Sequence, residues 1–187
     1  LMRDRPGFGA GVVVSASHNP ARDNGIKLVA VDGSKWAVEQ ERSLEARLRA
    51  WVAEPSTAPL SALTEGLAER YLELLERTLP PRPLADLHLL IDPANGAASE
   101  VAPRLFERLG ATVATIHAAP NGVNINDGCG ALHPEGLAEQ VVARGCEAGV
   151  AFDGDADRAV LVGASGRVLV GDDVLLLWGR SLAAAGQ

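Results

Sequence analysis

The apolar run Gly149-Val150-Ala151-Phe152 ends in Asp153-Gly154-Asp155-Ala156-Asp157-Arg158, three carboxylates at alternate positions with an arginine behind them. In an extended segment every second side chain shares a face, whereas in a helix residues two apart point to nearly opposite sides. The run therefore reads as a strand leading into a carboxylate claw. Three ionised carboxylates held about 4 Å apart repel by roughly 4 kcal/mol per pair at an effective dielectric of about 20. Such a group must take up protons or hold a cation. A hard divalent cation with oxygen ligands satisfies it, and Mg2+ suits a site of few carboxylates that shares the metal with a phosphate. A polar, Asp-rich turn is the plain alternative. A helix-loop-helix calcium loop fails on the letters, because its sixth and twelfth places need Gly and Glu and here hold Arg158 and Ala164. Gly154, without a Cβ, lets the backbone approach a ligand closely, and Arg158 offers a planar fork for a phosphate oxygen.

A second stretch, Ser15-Ala16-Ser17-His18-Asn19-Pro20, follows the strand-like Gly11-Val12-Val13-Val14 and precedes Asp23-Asn24-Gly25-Ile26-Lys27. Asn-Pro and Asn-Gly mark turns, so the segment reads as strand, exposed loop and a further strand from Ile26 to Val31. Ser17 is thereby displayed near a strand end. A hydroxyl there can simply cap local backbone groups. Adjacency of Ser17 and His18 does not make them a nucleophile and its base, since that relation is spatial, and the G-x-S-x-G elbow is absent.

Elsewhere helical and extended patterns alternate. Val38 to Val52 carries apolar Leu44, Leu48, Trp51 and Val52 among charges, which is helical spacing on a solvated face. Glu54 to Leu60 reads as a linker, where a first domain boundary falls. Leu67 to Leu79 is an amphipathic helix with a core-facing stripe, stopped by Pro80-Pro81. Leu87 to Asp92 reads as a strand, Pro93-Ala94-Asn95-Gly96 as a turn opening a helix from Ser99 to Leu109, and Thr112 to His117 as a strand. A long loop to His133 ends at a helix start, Pro134-Glu135. Ala159 to Gly163 and Arg167 to Val170 form a hairpin around Ser165-Gly166, and Asp172 to Ala185 is a last helix. The expected fold class is α/β, with consecutive α/β domains on mixed, mostly parallel sheets joined by crossovers. Ligands of such sheets sit beyond the carboxyl ends of strands, which places Ser17 and the claw in equivalent positions facing one cleft. His88 and His117 read as core or surface histidines rather than ligands.

Hydrophobic residues make up 47% and charged residues 22% of the 187, ordinary globular usage. The net charge of -7 argues against nucleic acid as a partner. No apolar run reaches the length of a membrane span and no cleavable signal opens the chain, so no membrane partner and a cytoplasmic location are expected. Cys129 and Cys146 lack C-x-x-C spacing, so neither a zinc site nor a disulfide framework is suggested.

Ser-Ala-Ser-His-Asn-Pro, Asp-Asn-Gly-Ile-Lys and the distant Asp-Gly-Asp-Ala-Asp-Arg together resemble the α-D-phosphohexomutase superfamily. Within it, Asn121-Gly122-Val123-Asn124-Ile125-Asn126-Asp127-Gly128-Cys129-Gly130, continuing to His133-Pro134-Glu135, resembles the bacterial phosphoglucosamine mutase branch. Ala131-Leu132 departs from that branch, which usually shows Ser-Thr there. The resemblance implies that Ser17 is a phosphoserine and that Asp153, Asp155 and Asp157 ligate Mg2+ together with the Ser17 phosphate. It further implies that His18 and Arg158 lie around that phosphate and that Lys27 acts in proton transfer. The implied reaction interconverts glucosamine 6-phosphate and glucosamine 1-phosphate through a 1,6-bisphosphate. The implied partner is a hexosamine phosphate, with a homodimer as a candidate assembly. Members of the superfamily have four domains, so the chain is expected to be a fragment that is inactive alone. Residues 1–62 would then end domain 1, 63–168 form domain 2 and 169–187 open domain 3. Glucose or mannose phosphates remain alternative substrates. A haloacid-dehalogenase-type phosphatase would also end a strand in D-x-D, but usually carries Thr or Val where Asp157 stands. A metal-binding scaffold without catalysis is the non-enzymatic alternative.

Overall fold

The structure, a computed structural model, describes residues 9–51, 66–184 and 186. The chain divides into two compact units, Leu1–Ser15 with Gly25–Tyr71, and Ala16–Asn24 with Leu72–Gln187.

In the first unit β1 (Ala10–Ser15) pairs antiparallel with β2 (Gly25–Ala30), Ser15 opposite Gly25 and Val13 opposite Lys27. The β-branched Val12, Val13, Val14 and Ile26 favour extended backbone, and all four stay exposed. After β2 the chain reverses through Gly33, whose φ of 83° suits a residue without Cβ and whose N–H reaches Ala30 O at 2.9 Å. Helix α1 (Val38–Ala50) opens with the Gln40 side chain accepting the Ala37 N–H at 3.1 Å. Of its expected apolar stripe Leu44 is half-buried, while Leu48 and, just past the helix end, Trp51 are exposed. Val52 and the linker 54–60 lie outside the described residues.

Helix α2 (Leu67–Glu76) buries Leu72 completely. It ends before the proline pair expected to stop it, because the Thr78 hydroxyl and N–H both turn back to Leu75 O, at 2.7 and 3.1 Å. The second unit is built on a sheet of β3 (His88–Asp92), β4 (Thr112–Thr115), β5 (Ala148–Phe152), β6 (Ala159–Gly163) and β7 (Val168–Leu169) in the order β4-β3-β5-β6-β7. The sheet is mixed. Parallel pairing is confined to the strands joined through α3 (Ala98–Arg108) and α4 (Glu135–Arg144), namely β3 with β4 and β3 with β5. The turns that link β5 to β6 and β6 to β7 are too short for a crossover, so those pairs are antiparallel. The parallel share is therefore smaller than the alternation of helices and strands suggested.

Strand β3 lies between β4 and β5, with which it pairs in parallel. Its alternate residues face opposite sides. Leu89 and Ile91 join Ala98 and Ala102 of α3, while Leu90 joins Leu137 and Val141 of α4. Both faces are thus covered, which explains why 89–92 reads as a continuous apolar run closed by one acid. Gly149 lets α4 sit close to β5, since a Cβ there would come within 2.7 Å of Val141 Cγ2. The last helix, α5 (Gly171–Ala184), buries none of its described residues. No helix among the described residues is long and apolar enough to cross a membrane.

Candidate metal and phosphoryl site

The claw follows β5 at the carboxyl end of the sheet. Asp153, Asp155 and Asp157 each bring a carboxylate oxygen within 4.8 Å of the others. Strand alternation is not what gathers them, contrary to expectation. The segment curls into a turn in which Ala156 N–H donates to Asp153 O at 3.0 Å and Ala156 takes a φ of 59°. Asp153 Oδ1 accepts the Arg158 N–H at 3.1 Å, which closes the turn.

Asp153 is fully buried, and its Oδ2 has no hydrogen-bond partner among the described residues. Native structures rarely leave such an atom orphaned without a bound group to explain it. Burial raises the Asp153 pKa above the ordinary carboxylate range; the negative charges of Asp157 and Asp155 push the same way, and the Arg158 N–H pulls it down. A cation would remove all three penalties, so the donor set fits a metal ion.

The loop 16–24 belongs to the same compact unit as the claw, although its flanking strands belong to the other. Ser17 and His18 are half-buried, with Ser17 Oγ 3.4 Å from His18 Nδ1. Asn19 N–H donates to Ala16 O at 2.9 Å, and Ser17 takes a φ of 52°, where a residue with a Cβ is held only by its surroundings. Those surroundings include the claw itself. A Cβ added to Gly154 would collide with the Ser17 carbonyl oxygen and would stand 2.6 Å from Ile125 Cδ1. A close approach is made at Gly154, but by the backbone of the serine and not by the ligand expected there. The Gly154 carbonyl meanwhile accepts the Ala97 N–H at 2.9 Å, ahead of α3, and a Cβ on Gly96 would come within 2.7 Å of Gly154 Cα. Arg158 is exposed, its Nε 3.9 Å from Asp157 Oδ1. Lys27 is half-buried in β2, in the first unit.

Two residues of this region escaped the sequence reading as site residues. Asp92 ends β3 fully buried and accepts from Ala94 N–H and Gly130 N–H, both at 2.9 Å, with His117 Nδ1 3.0 Å from its Oδ2. A lone acid closing a buried apolar strand was its only signal. Asn126 donates its side-chain amide to Ser17 O at 2.7 Å and to Asn19 O at 2.9 Å. Asp92, His117 and Cys129 also lie close enough to share an ion, but Asp92 is already satisfied by these donors. Burial, aided by the charges of Asp92 and Asp127, pushes the Cys129 thiol up to about 11, so it stays protonated.

With the geometry in place, comparison with known proteins decides the family. The model described as "Phosphoglucomutase/phosphomannomutase, alpha/beta/alpha domain II" matches residues 69–166, and that for domain I matches residues 2–54. The chain belongs to the phosphoglucomutase/phosphomannomutase family. Among curated relatives of this family member, a phosphoglucosamine mutase of Solibacter usitatus is 48% identical, covering 96% of this chain and 41% of its own length. A phosphoglucosamine mutase of Synechococcus is 46% identical over 94% of this chain and 38% of its own length. The chain thus spans about two fifths of the curated relatives it matches. A solved phosphoglucomutase/phosphomannomutase family protein from Burkholderia thailandensis superposes with a TM-score of 0.73 at 29% identity, over 95% of this chain and 38% of that one.

Proposed function

We propose that this chain is the part of a phosphoglucosamine mutase that carries the phosphoryl group on Ser17 and Mg2+ on Asp153, Asp155 and Asp157. The observation that carries the reading is the packing of the Ser17 backbone on Gly154, inside the claw and next in sequence to Asp153, whose Oδ2 has no hydrogen-bond partner among the described residues. In one half-reaction the bond between Ser17 Oγ and phosphorus breaks as a sugar hydroxyl forms its own bond to phosphorus, giving a 1,6-bisphosphate. In the other, Ser17 takes back the phosphoryl group from the opposite end of the reoriented sugar. Bound Mg2+ would supply charge neutralisation for the phosphoryl oxygens. The chain's own contribution is positioning and charge, as suits a loose phosphoryl-transfer transition state. Arg158 and His18 are assigned to the phosphate oxygens, and Lys27 to the proton of the sugar hydroxyl. In this reading residues 1–62 close domain 1, 63–168 form domain 2 and 169–187 open domain 3, so turnover requires the longer polypeptide and takes place in the cytoplasm.

Glucosamine is assigned on the likeness of Asn121–Gly130 to the phosphoglucosamine mutase loop and on the two curated relatives bearing that name. A coupled assay of the full-length enzyme against glucosamine, glucose and mannose 6-phosphates tests it. Glucosamine 6-phosphate should give the highest kcat/KM, and Ser17→Ala should abolish turnover on all three. Preference for glucose or mannose phosphate would move the protein to another branch, and near wild-type turnover by Ser17→Ala would refute the phosphoserine.

A further inference from the structure

We infer that Asn126 is a positioning residue that holds the phosphoryl-bearing Ser17 against the carboxylate loop. The inference rests on the phosphoserine reading above and assigns a role to the loop that discriminates branches of the family. Four loops meet at the carboxyl end of the sheet, and Asn126 is where they are tied together. Its backbone N–H donates to Ala94 O at 3.0 Å, anchoring it to the loop after β3. Its side-chain amide spends both protons on the serine loop, at Ser17 O and Asn19 O. The same nitrogen would stand 2.9 Å from a Cβ on Gly154, so Asn126, the Ser17 carbonyl and the claw backbone are in mutual contact.

The bonding pattern suits a positioning role rather than a merely local one. The two bonds span 109 and 107 residues of sequence and end on the carbonyls either side of His18. A carbonyl cannot donate, so only a donor of two protons satisfies both at once, and a primary amide is one. Asn126 has a φ of 57°, a conformation that asparagine tolerates better than most residues. Its own frame is fixed in turn by its neighbours: Asn95 Nδ2 donates to Asn124 O at 3.2 Å, and Asn124 Nδ2 to Ala119 O at 3.0 Å. Loss of the amide would leave Ser17, itself at positive φ, free to relax away from the claw.

The test compares Asn126→Gly and Asn126→Asp in the full-length enzyme, with Ser17→Ala as control. Both substitutions tolerate the left-handed backbone; glycine removes the donor outright, and aspartate puts an acceptor-only oxygen against the two carbonyls the amide had satisfied. The expected result is a kcat lower by about 10- to 100-fold, with KM for the sugar phosphate within about twofold and the melting temperature near the parent's. Hydrogen exchange should quicken at residues 16–19 and not in β3 or β5. Wild-type kcat in both variants overturns the inference while an inactive Ser17→Ala leaves the phosphoserine standing. Exchange that quickens throughout β3 and β5 also overturns it, since Asn126 would then hold the whole unit. An active Ser17→Ala overturns both.

Discussion

Gly154 shows how much one missing methyl group does here. Its φ lies outside the left-handed region, so alanine is conformationally acceptable at that position and the consequence of substitution is steric. The added Cβ would meet the Ser17 carbonyl, which is backbone and cannot swing aside as a side chain would. Overpacking of this kind costs about 1–3 kcal/mol, and the least expensive relief is to push the serine loop outward. Gly154→Ala should therefore lower the melting temperature modestly and turnover severely, by more than tenfold, when both are measured on the same full-length preparation. A variant with a lowered melting temperature and parental turnover would mean that the serine loop does not need its seat on the claw. At this scale the sequence was informative about type and silent about contact. The Asp triplet and Ser17 were legible from local spacing, whereas Gly154 was read as open to a ligand and is occupied by the serine backbone. Asn126 was not legible, because a side chain reaching carbonyls more than a hundred residues away leaves no periodic trace.

The elements were legible where a period governs them. β3, α3 and β5 fall within a residue of the expected bounds and α4 starts where expected, because a buried apolar run or a helical stripe marks each. The turn at Asp153–Arg158 was misread as a continuation of strand geometry, since hydrogen bonds that close a turn are not visible in the spacing of acids. The loop 117–130 had no expected structure at all, yet it is tied down by Asn95, Asn124 and Asp92 and closes over Cys129. That closure has a chemical readout. With its thiol pushed up to about 11, Cys129 holds a thiolate fraction at pH 8 on the order of a hundredfold below that of an unperturbed thiol. Iodoacetamide at pH 8, followed by peptide mapping to separate Cys129 from Cys146, should label Cys129 in the unfolded chain and leave it unlabelled in the native one. The folded state keeps this proton while the unfolded state releases it near pH 9, so the contribution of Cys129 to stability declines as pH rises from about 9 to 11. Equal labelling of native and unfolded protein would show the loop to be open.

On the scale of the whole molecule, fold and family agree with the alternation of elements read from the sequence, and the chain spans about two fifths of the curated relatives it matches. The charge of the whole chain, -7, tells little about an anionic substrate, because the site is decided by a few local charges: three carboxylates that fit a cation, and Arg158 beside them. The proposed mutase role requires a phosphoryl group on Ser17. Full-length protein, incubated with the sugar 1,6-bisphosphate and digested for phosphopeptide mapping with and without hydroxylamine, tests this directly. One phosphoryl group on Ser17, stable to hydroxylamine and absent from Ser17→Ala, is the predicted result; a hydroxylamine-labile phosphate on Asp153, or none on either residue, would contradict it.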